Sequence, residues 1–409
     1  DKNYIFCLFT LNPDPKKVID IYGNYIDSLI VKYNKFTIID FYRYSQKKNV
    51  RKSYEKYLRK RFKKKINFFY PKNKSKFYKF IENKQVFALD SLGKGFKDFK
   101  LRYLINKKNI FIILLINGGY LSNEKIGVLK LSLKNRVFLF LRILNKLIYR
   151  VLIVLNLFPK TFIYFDSRKK VVDKFHNNKF RSLIKRFSNL NFLINYLNIY
   201  RINSNSYEKN FISKKIKNNN KIIFVDGNYK HVDITSREQL NLNKIKIGYF
   251  KLLTNTFLKL EKTYKKKVEI CLHPSSDVKI YKKYLGKKFQ LSTGKTTEKV
   301  LASYMVIIHE SSVIIDALMA NKKVILLQTN ILGNYLLNKM LMYKHLLKLP
   351  TINLDTKKIL SKNDIMKEHL KTKKYRDRYI KDNIIYNSEL PSVRFINIIE
   401  NLITKNNLQ

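Results

Sequence analysis

The sequence is poor in cysteine, in acidic residues and in long apolar runs, and each shortage closes off a class of protein. Two cysteines among 409 residues cannot build a disulfide framework. Cys7 and Cys271 both sit in apolar, strand-like runs, which fits reduced buried thiols, and no CxxC or Cys/His cluster suggests zinc. No segment offers about 20 uninterrupted apolar residues, so no membrane-spanning helix is predicted. No RNP, KH, zinc-finger or helix-turn-helix signature is present, and a nucleic-acid partner is therefore not expected. No Asp-x-Asp triplet of the metal-binding kind occurs, which favours chemistry without a bound metal, and no cofactor is expected. The first residues, Asp1-Lys2-Asn3-Tyr4, carry no signal-peptide pattern, and the expected location is the cytoplasm.

The shortage of acids has its counterpart in 84 Lys and Arg against 29 Asp and Glu, a formal net charge of +55. Such a balance suits a large anionic neighbour: nucleic acid, an anionic membrane leaflet or a phosphorylated substrate. Much of the excess is Lys beside abundant Asn, Ile, Tyr and Phe, a bias that an AT-rich genome imposes whatever the function. An apolar content of 45% with 28% charged residues is that of a folded globular chain, long enough for two α/β domains.

Short β-branched runs alternate with longer amphipathic segments, the pattern of βαβ units and a mainly parallel sheet. Strands are predicted at 4–9, 36–41, 85–89, 110–116 and 161–165, then at 221–225, 268–272, 306–309 and 324–328. Between the two series lies a polar Asn/Ser/Lys-rich stretch, 203–220, suited to a linker with a short helix. The expected division is a domain of residues 1–209 followed by one of residues 210–409. Two similar α/β halves in tandem make a cleft between them the natural site.

Two basic features stand out. The runs 51–65 and 72–79, with the segment between them, interleave cations with Tyr54, Tyr57, Phe62, Phe68, Phe69 and Tyr70. That mixture can stack on nucleic acid, or it can be the solvated outer face of helices. In the apolar segment 135–158, Arg142, Lys146 and Arg150 recur every four residues and so share one helical face. Such a helix either lies in a membrane interface or is a core helix with one basic edge.

Three motifs in the second half carry the chemical expectation. In Ile222-Ile223-Phe224-Val225-Asp226-Gly227-Asn228 an apolar strand ends in an acid and a glycine, which delivers Asp226 to the ligand side of a parallel sheet. In Val268-Glu269-Ile270-Cys271-Leu272-His273-Pro274-Ser275-Ser276 a buried strand ends in His-Pro; Pro274 restricts the backbone and holds His273 at the tip, where an imidazole can donate to a phosphate. In the third, Thr296-Thr297-Glu298 reads as a helix start, and Glu310-Ser311-Ser312 follows a strand and caps the next helix, a generic anion seat. Each motif alone is also an ordinary turn or cap.

Together, the acidic-Gly, His-Pro and Ser-Ser motifs resemble those of bacterial sialyltransferases and polysialyltransferases of GT-B fold, and of glycosyltransferases from capsule and lipopolysaccharide clusters. The resemblance covers residues 221–328. The run from Phe224 through Tyr229, His231 and Asp233 is similar to a motif of the same capsule-associated proteins. What the resemblance implies is two Rossmann-like domains facing a central cleft, and transfer of a sugar from a nucleotide donor onto a surface glycan or glycolipid, at the inner face of a bacterial plasma membrane. It implies a CMP-activated sialic acid, another nonulosonic acid or Kdo as the sugar. His273, Pro274, Ser275, Thr296, Thr297, Glu310, Ser311 and Ser312 would hold the donor, with His273 also stabilising the leaving phosphate. Asp226 would be the base in an inverting, metal-independent transfer. In the sialyltransferases the acidic-Gly motif belongs to the first domain, and there the rival is Asp90, which ends the run Val86-Phe87-Ala88-Leu89-Asp90. Other readings are a UDP-sugar transferase or epimerase of the same fold, and a basic protein that binds nucleic acid or membrane.

Overall fold

Apolar runs of a few β-branched residues bury both of their faces when they lie inside a parallel sheet covered by helices, and the chain builds two such sheets. The computed structural model describes residues 4–11, 15, 18–41, 48–92, 98–116, 140–141, 144–145, 148–149, 151–153, 155–159, 161–169, 172–173, 196–212, 219–227, 242–273, 275–309, 311–356 and 360–407. The first sheet holds β1 (Tyr4–Thr10), β2 (Phe36–Asp40), β3 (Ile66–Phe69), β4 (Gln85–Asp90), β5 (Ile110–Ile116), β6 (Thr161–Asp166) and β7 (Tyr196–Arg201). Its spatial order is β3-β2-β1-β4-β5-β6-β7. The second sheet holds β8 (Ile222–Val225), β9 (Val268–Leu272), β10 (Gln290–Thr293), β11 (Met305–Ile308), β12 (Lys323–Gln328) and β13 (Thr351–Asn353), in the order β10-β9-β8-β11-β12-β13. Neighbouring strands pair in parallel throughout.

The chain divides into two units, and the division is not a single cut. Among the described residues, one unit runs to Asn205 and takes back the chain from Tyr386; the other contains Ser206–Ile385. In the first unit, side chains alternate across the sheet with period two. Phe6 and Leu8 pack with Phe36, Ile38, Phe87 and Phe165 on one face, beneath the helix Gly23–Tyr33. Cys7 and Phe9 pack on the other with Ile39, Val86 and Phe77. The helix Pro391–Asn407 adds Phe395, Ile398 and Ile399 to the first of these layers, and the Phe395 ring meets Tyr25 at 5.0 Å. Burying these three side chains contributes about 6 kcal/mol to the unit. Asn203 joins the outgoing and returning passages: its amide donates to the carbonyls of Asn387 and Glu389 and its oxygen accepts from the Tyr386 N–H.

In the second unit one continuous core covers the sheet, from Ile222–Val225 in β8 to Ile352 in β13, with Tyr249, Phe250, Leu253 and Phe257 supplied by the helix Leu242–Tyr264. Both cysteines are free and buried, and burial pushes both thiols up. The basic run at 51–65 largely forms the helix Lys48–Arg61, where Leu58 and the following Phe62 turn inward and Arg61 meets Asp27 at the surface. Of the amphipathic segment 135–158, Arg142, Lys146 and Arg150 lie outside the described residues.

A shortage of glycine leaves a mark on the backbone. The chain has only 11 glycines, and the left-handed positions that commonly fall to glycine after a helix are filled otherwise. Among the described residues the non-glycine positions with positive φ are all Asn or Lys: Asn34, Lys63, Lys64, Asn83, Asn156, Asn220, Lys265, Lys295, Asn321 and Lys348. Many of them close a helix just before a strand begins, and lysine also stands directly before β2, β3, β4, β8 and β9. Cations there face the negative ends of the helix dipoles, so the entry edge of each sheet is basic. A side chain with a Cβ pays a steric cost in this conformation. Replacing the exposed Lys265, at φ 53°, by glycine is expected to raise unfolding free energy by about 1 kcal/mol, read as a higher urea midpoint at unchanged slope.

Candidate functional site

In a sheet of this winding the loops after the strands part company where the strand order reverses, and a ligand can enter there. The reversal lies between β1 and β4 in the first unit and between β8 and β11 in the second. The second unit's tips bring together most of the residues singled out from the sequence. Val225 is in register with Cys271 of β9 and with Ile308 of β11. Asp226, the end of β9 with His273, and His309 therefore emerge at one edge, side by side.

Asp226 is only 2% exposed. Its Oδ2 accepts from the Ser276 hydroxyl at 2.7 Å and its Oδ1 from the Tyr281 hydroxyl at 2.8 Å, while its N–H donates to the Cys271 carbonyl at 3.0 Å. A buried carboxylate needs such donors, and here they tie the β8 tip to the loop that carries His273 and to the helix Val278–Tyr284. Burial, reinforced by the Asp226 charge, pushes the Tyr281 hydroxyl well up, so it stays a donor. In this bonded state both carboxylate oxygens are committed, and action as a base requires an exchange of partners first.

His273 is partly exposed. The Ser275 N–H donates to its Nδ1 at 3.2 Å, the Ser275 hydroxyl lies 2.7 Å from the same nitrogen, and the Ser276 N–H donates to the His273 carbonyl at 2.9 Å. Because a backbone N–H points at Nδ1, the neutral ring carries its proton on Nε2, as a donor. Pro274 and Glu310 lie outside the described residues, as do Gly93, Gly95, Tyr229, His231 and Asp233.

Thr296 opens the helix Thr296–Ala302, as its sequence suggests, and Thr297 donates to Asp316 at 2.9 Å, joining that helix to Ile314–Met319. The serines differ from expectation. The helix Ile314–Met319 has Val313 as its N-cap with no side-chain cap bond. The Ser311 hydroxyl instead accepts the Val313 N–H at 3.3 Å, and the carbonyls of Ser311 and Ser312 accept from Ile314 and Ile315. The chain makes a tight turn ahead of the helix; Ser312 is exposed and Ser311 partly so.

His309 belongs to the core. Its Nδ1 donates to the Leu327 carbonyl, its Nε2 accepts from the Tyr249 hydroxyl at 2.9 Å, and Phe224 meets the ring edge-on at 5.6 Å. Burial pushes its pKa down to about 4, against a smaller opposing pull from the Leu327 carbonyl.

Asp90 occupies the corresponding place in the first unit, at the end of β4. Its Oδ1 accepts the Leu92 N–H at 3.0 Å, and its Oδ2 pairs with Arg102 at 2.8 Å, both side chains nearly inaccessible. Burial works against the Arg102 charge, but the attraction of Asp90 outweighs it and raises the guanidinium pKa. Arg102 also donates to the Leu92 carbonyl at 2.7 Å, so the pair fixes the loop beyond β4. Asp90 and Asp226 thus lie in separate units, each in a closed set of bonds.

Three tip acids, Asp40, Asp166 and Asp355, escaped sequence reasoning. Asp166 ends β6 and accepts from Tyr164 and, through both oxygens, from Arg168. Asp355, beyond β13, accepts from the Thr329 hydroxyl and the Asn330 N–H, both at 2.9 Å. Asp166 carries the same strand-then-acid signal as Asp90 and Asp226, whereas Asp355 and Tyr281 carry none. Among the described residues no group of three or more His, Cys, Asp or Glu is placed to hold a metal ion.

No protein-family model matches the chain, and no curated protein matches it. Solved structures are similar to it along their whole length. One described as a putative UDP-N-acetylglucosamine 2-epimerase from Listeria monocytogenes is 13% identical with a TM-score of 0.52, covering 99% of this chain and 97% of that one. The S. aureus MnaA-UDP co-structure is 13% identical at 0.50, covering 98% and 97%. The UDP-GlcNAc 2-epimerase of Methanocaldococcus jannaschii is 12% identical at 0.50, covering 97% and 99%. At such identities the likeness is one of fold, and that fold is GT-B, two Rossmann-like α/β units in one chain. It supports no sialyltransferase-specific grouping.

Two outcomes test the geometry. Asp226→Ala leaves two buried hydroxyls without their charged acceptor and is expected to cost about 2–3 kcal/mol of stability in urea titration. For His309 burial holds the folded pKa below the ordinary value of 6.5, at about 4. Its contribution is complete above pH 6.5 and is lost as pH falls towards 4, a span worth about 3 kcal/mol. Stability measured across that interval is expected to fall in the native chain, and the share due to this ring to vanish in His309→Gln.

Proposed function

We propose that the protein is a nucleotide-sugar-dependent glycosyltransferase whose donor sits at the strand reversal of the second unit. The observation that carries this reading is that His273 and the Ser311-Ser312 turn follow the two strands that flank β8, at the same edge of the sheet, with Asp226 of the β8 tip bracing the His273 loop between them. His273 offers its Nε2–H to a phosphate oxygen of the donor, and the serine turn supplies hydroxyl donors to the same group. As the bond from the anomeric carbon to the phosphate oxygen breaks, these donors meet the growing charge on the leaving group. Asp226 is a positioning residue in this scheme, acting through Ser276 and Tyr281 to hold the His273 loop. The hydroxyl oxygen of a glycan or glycolipid forms the new bond to the anomeric carbon on the face opposite the departing phosphate, its proton passing to solvent, so transfer proceeds with inversion and without a metal.

For the donor, UDP is favoured over CMP. Support comes from fold likeness to UDP-N-acetylglucosamine 2-epimerases and to MnaA solved with UDP. The same likeness favours a second reading, epimerisation of a UDP-sugar.

Thermal shift against UDP, CMP, CDP, GDP and ADP tests the site. UDP is expected to raise the melting temperature, and His273→Ala to lose about tenfold or more in nucleotide affinity by removing a charge-assisted bond. Stabilisation by CMP alone would restore the CMP-sugar donor, and no stabilisation by any nucleotide would remove the reading. Incubation with UDP-N-acetylglucosamine, followed by proton NMR, separates the two activities: release of UDP only when an acceptor is added marks a transferase, and a new UDP-sugar without UDP release marks an epimerase.

A further inference from the structure

At the opposite edge of the first unit, where β5 and β6 begin, the chain exposes leucines beside lysines. The described residues 140–141, 144–145, 148–149 and 151–153, ahead of β6, are helical, and the turn Leu155-Asn156-Leu157-Phe158 follows them. Leu155 is 59% and Leu157 39% exposed, while Phe158 between Tyr149 and Phe99 is buried. The turn is not a frayed end. The N–H groups of Leu155, Asn156, Leu157 and Phe158 each donate to a carbonyl one turn or so back, and Asn156 takes the left-handed conformation at φ 54° that closes a helix. Two apolar side chains are thereby held outward on a fixed frame, with Phe158 as the anchor beneath.

Their neighbours are cationic and aromatic. The Asn106 amide donates to the Asn156 carbonyl, which fastens the turn to the loop that leads into β5. The next two residues of that loop, Lys107 and Lys108, are exposed, and so is Tyr103, at 55%. The Lys107 ammonium lies 4.5 Å from the Tyr78 ring centre. Leucines flanked by lysines and a tyrosine match the three layers of a bilayer interface: acyl boundary, carbonyl region and phosphates. A nucleic acid would use the lysines and leave the leucines in water, since bases stack on aromatic rings and not on leucine. Among the described residues no helix is long and apolar enough to cross a membrane, so the contact is superficial.

We propose that this edge of the first unit is a docking surface for an anionic lipid bilayer, with Leu155 and Leu157 entering the headgroup region and Lys107 and Lys108 meeting lipid phosphates. Docking here leaves the strand tips of that unit, on the far edge, facing away from the bilayer. The proposal does not depend on the nucleotide reading.

The test is flotation of the full chain with vesicles of phosphatidylcholine alone and of phosphatidylcholine mixed with phosphatidylglycerol. The native chain is expected to float with the mixed vesicles and to remain unbound with phosphatidylcholine. Leu155→Ser combined with Leu157→Ser is expected to weaken binding about tenfold, and Lys107→Glu combined with Lys108→Glu by a similar factor, relieved by salt. Both variants should keep the native melting temperature and any nucleotide-induced shift, so that failure here is separable from failure of the nucleotide site. Equal binding to both kinds of vesicle, or native-like binding by the leucine variant, would overturn the proposal. So would binding of RNA through the same residues without binding of vesicles.

Discussion

Both sheets obey one constraint: their strands pair in parallel, so each connection must carry the chain back along the sheet before the next strand can begin. That return is made by helices, which cover the sheet faces and give every unit two unlike edges. At one edge strands end and loops open; at the other helices end and strands begin. The charges are sorted accordingly. Asp90, Asp166 and Asp226 stand at strand ends, while Lys35, Lys65, Lys84, Lys221 and Lys267 stand directly before strands. The candidate nucleotide site and the candidate lipid surface fall on opposite kinds of edge for this reason.

Acids are scarce in this chain, and several of them serve as buried anchors. Asp90 holds Arg102, Asp166 holds Arg168 and Tyr164, and Asp226 holds Ser276 and Tyr281. Glu269 sits among Lys221 and Lys299 near the start of β9; burial raises its pKa, but the bonds from the two ammonium groups outweigh that and leave it lowered. A carboxylate removed from water without donors would be costly. Paired in this way, it fixes a loop that would otherwise have many conformations, and a fixed loop is what a phosphate-binding tip needs.

The predicted strands were the central ones, because a strand covered on both faces is a continuous apolar run. The four that went unpredicted, β3, β7, β10 and β13, are the edges of the two sheets. Their sequences, such as Gln290-Leu291-Ser292-Thr293 and Thr351-Ile352-Asn353, carry the polar residues that an edge tolerates, and they read as loop. At the site, His273 was legible because His-Pro after a buried strand constrains the backbone locally. Tyr281 was not, because its bond to Asp226 spans 55 positions and depends on how a helix packs. The turn at Ser311 and Ser312 was misjudged for a related reason: a Ser-Ser before a helix permits either a side-chain cap or a turn, and only tertiary packing selects one.

The return of Tyr386–Gln409 to the first unit changes what the two halves are to each other. The first is a host whose core is incomplete without Phe395, Ile398 and Ile399, and the second is a guest spliced into one of its loops. Asn203 sutures the host's two cut ends together. A unit entered and left through one bonded seam can be remodelled while its host keeps its fold.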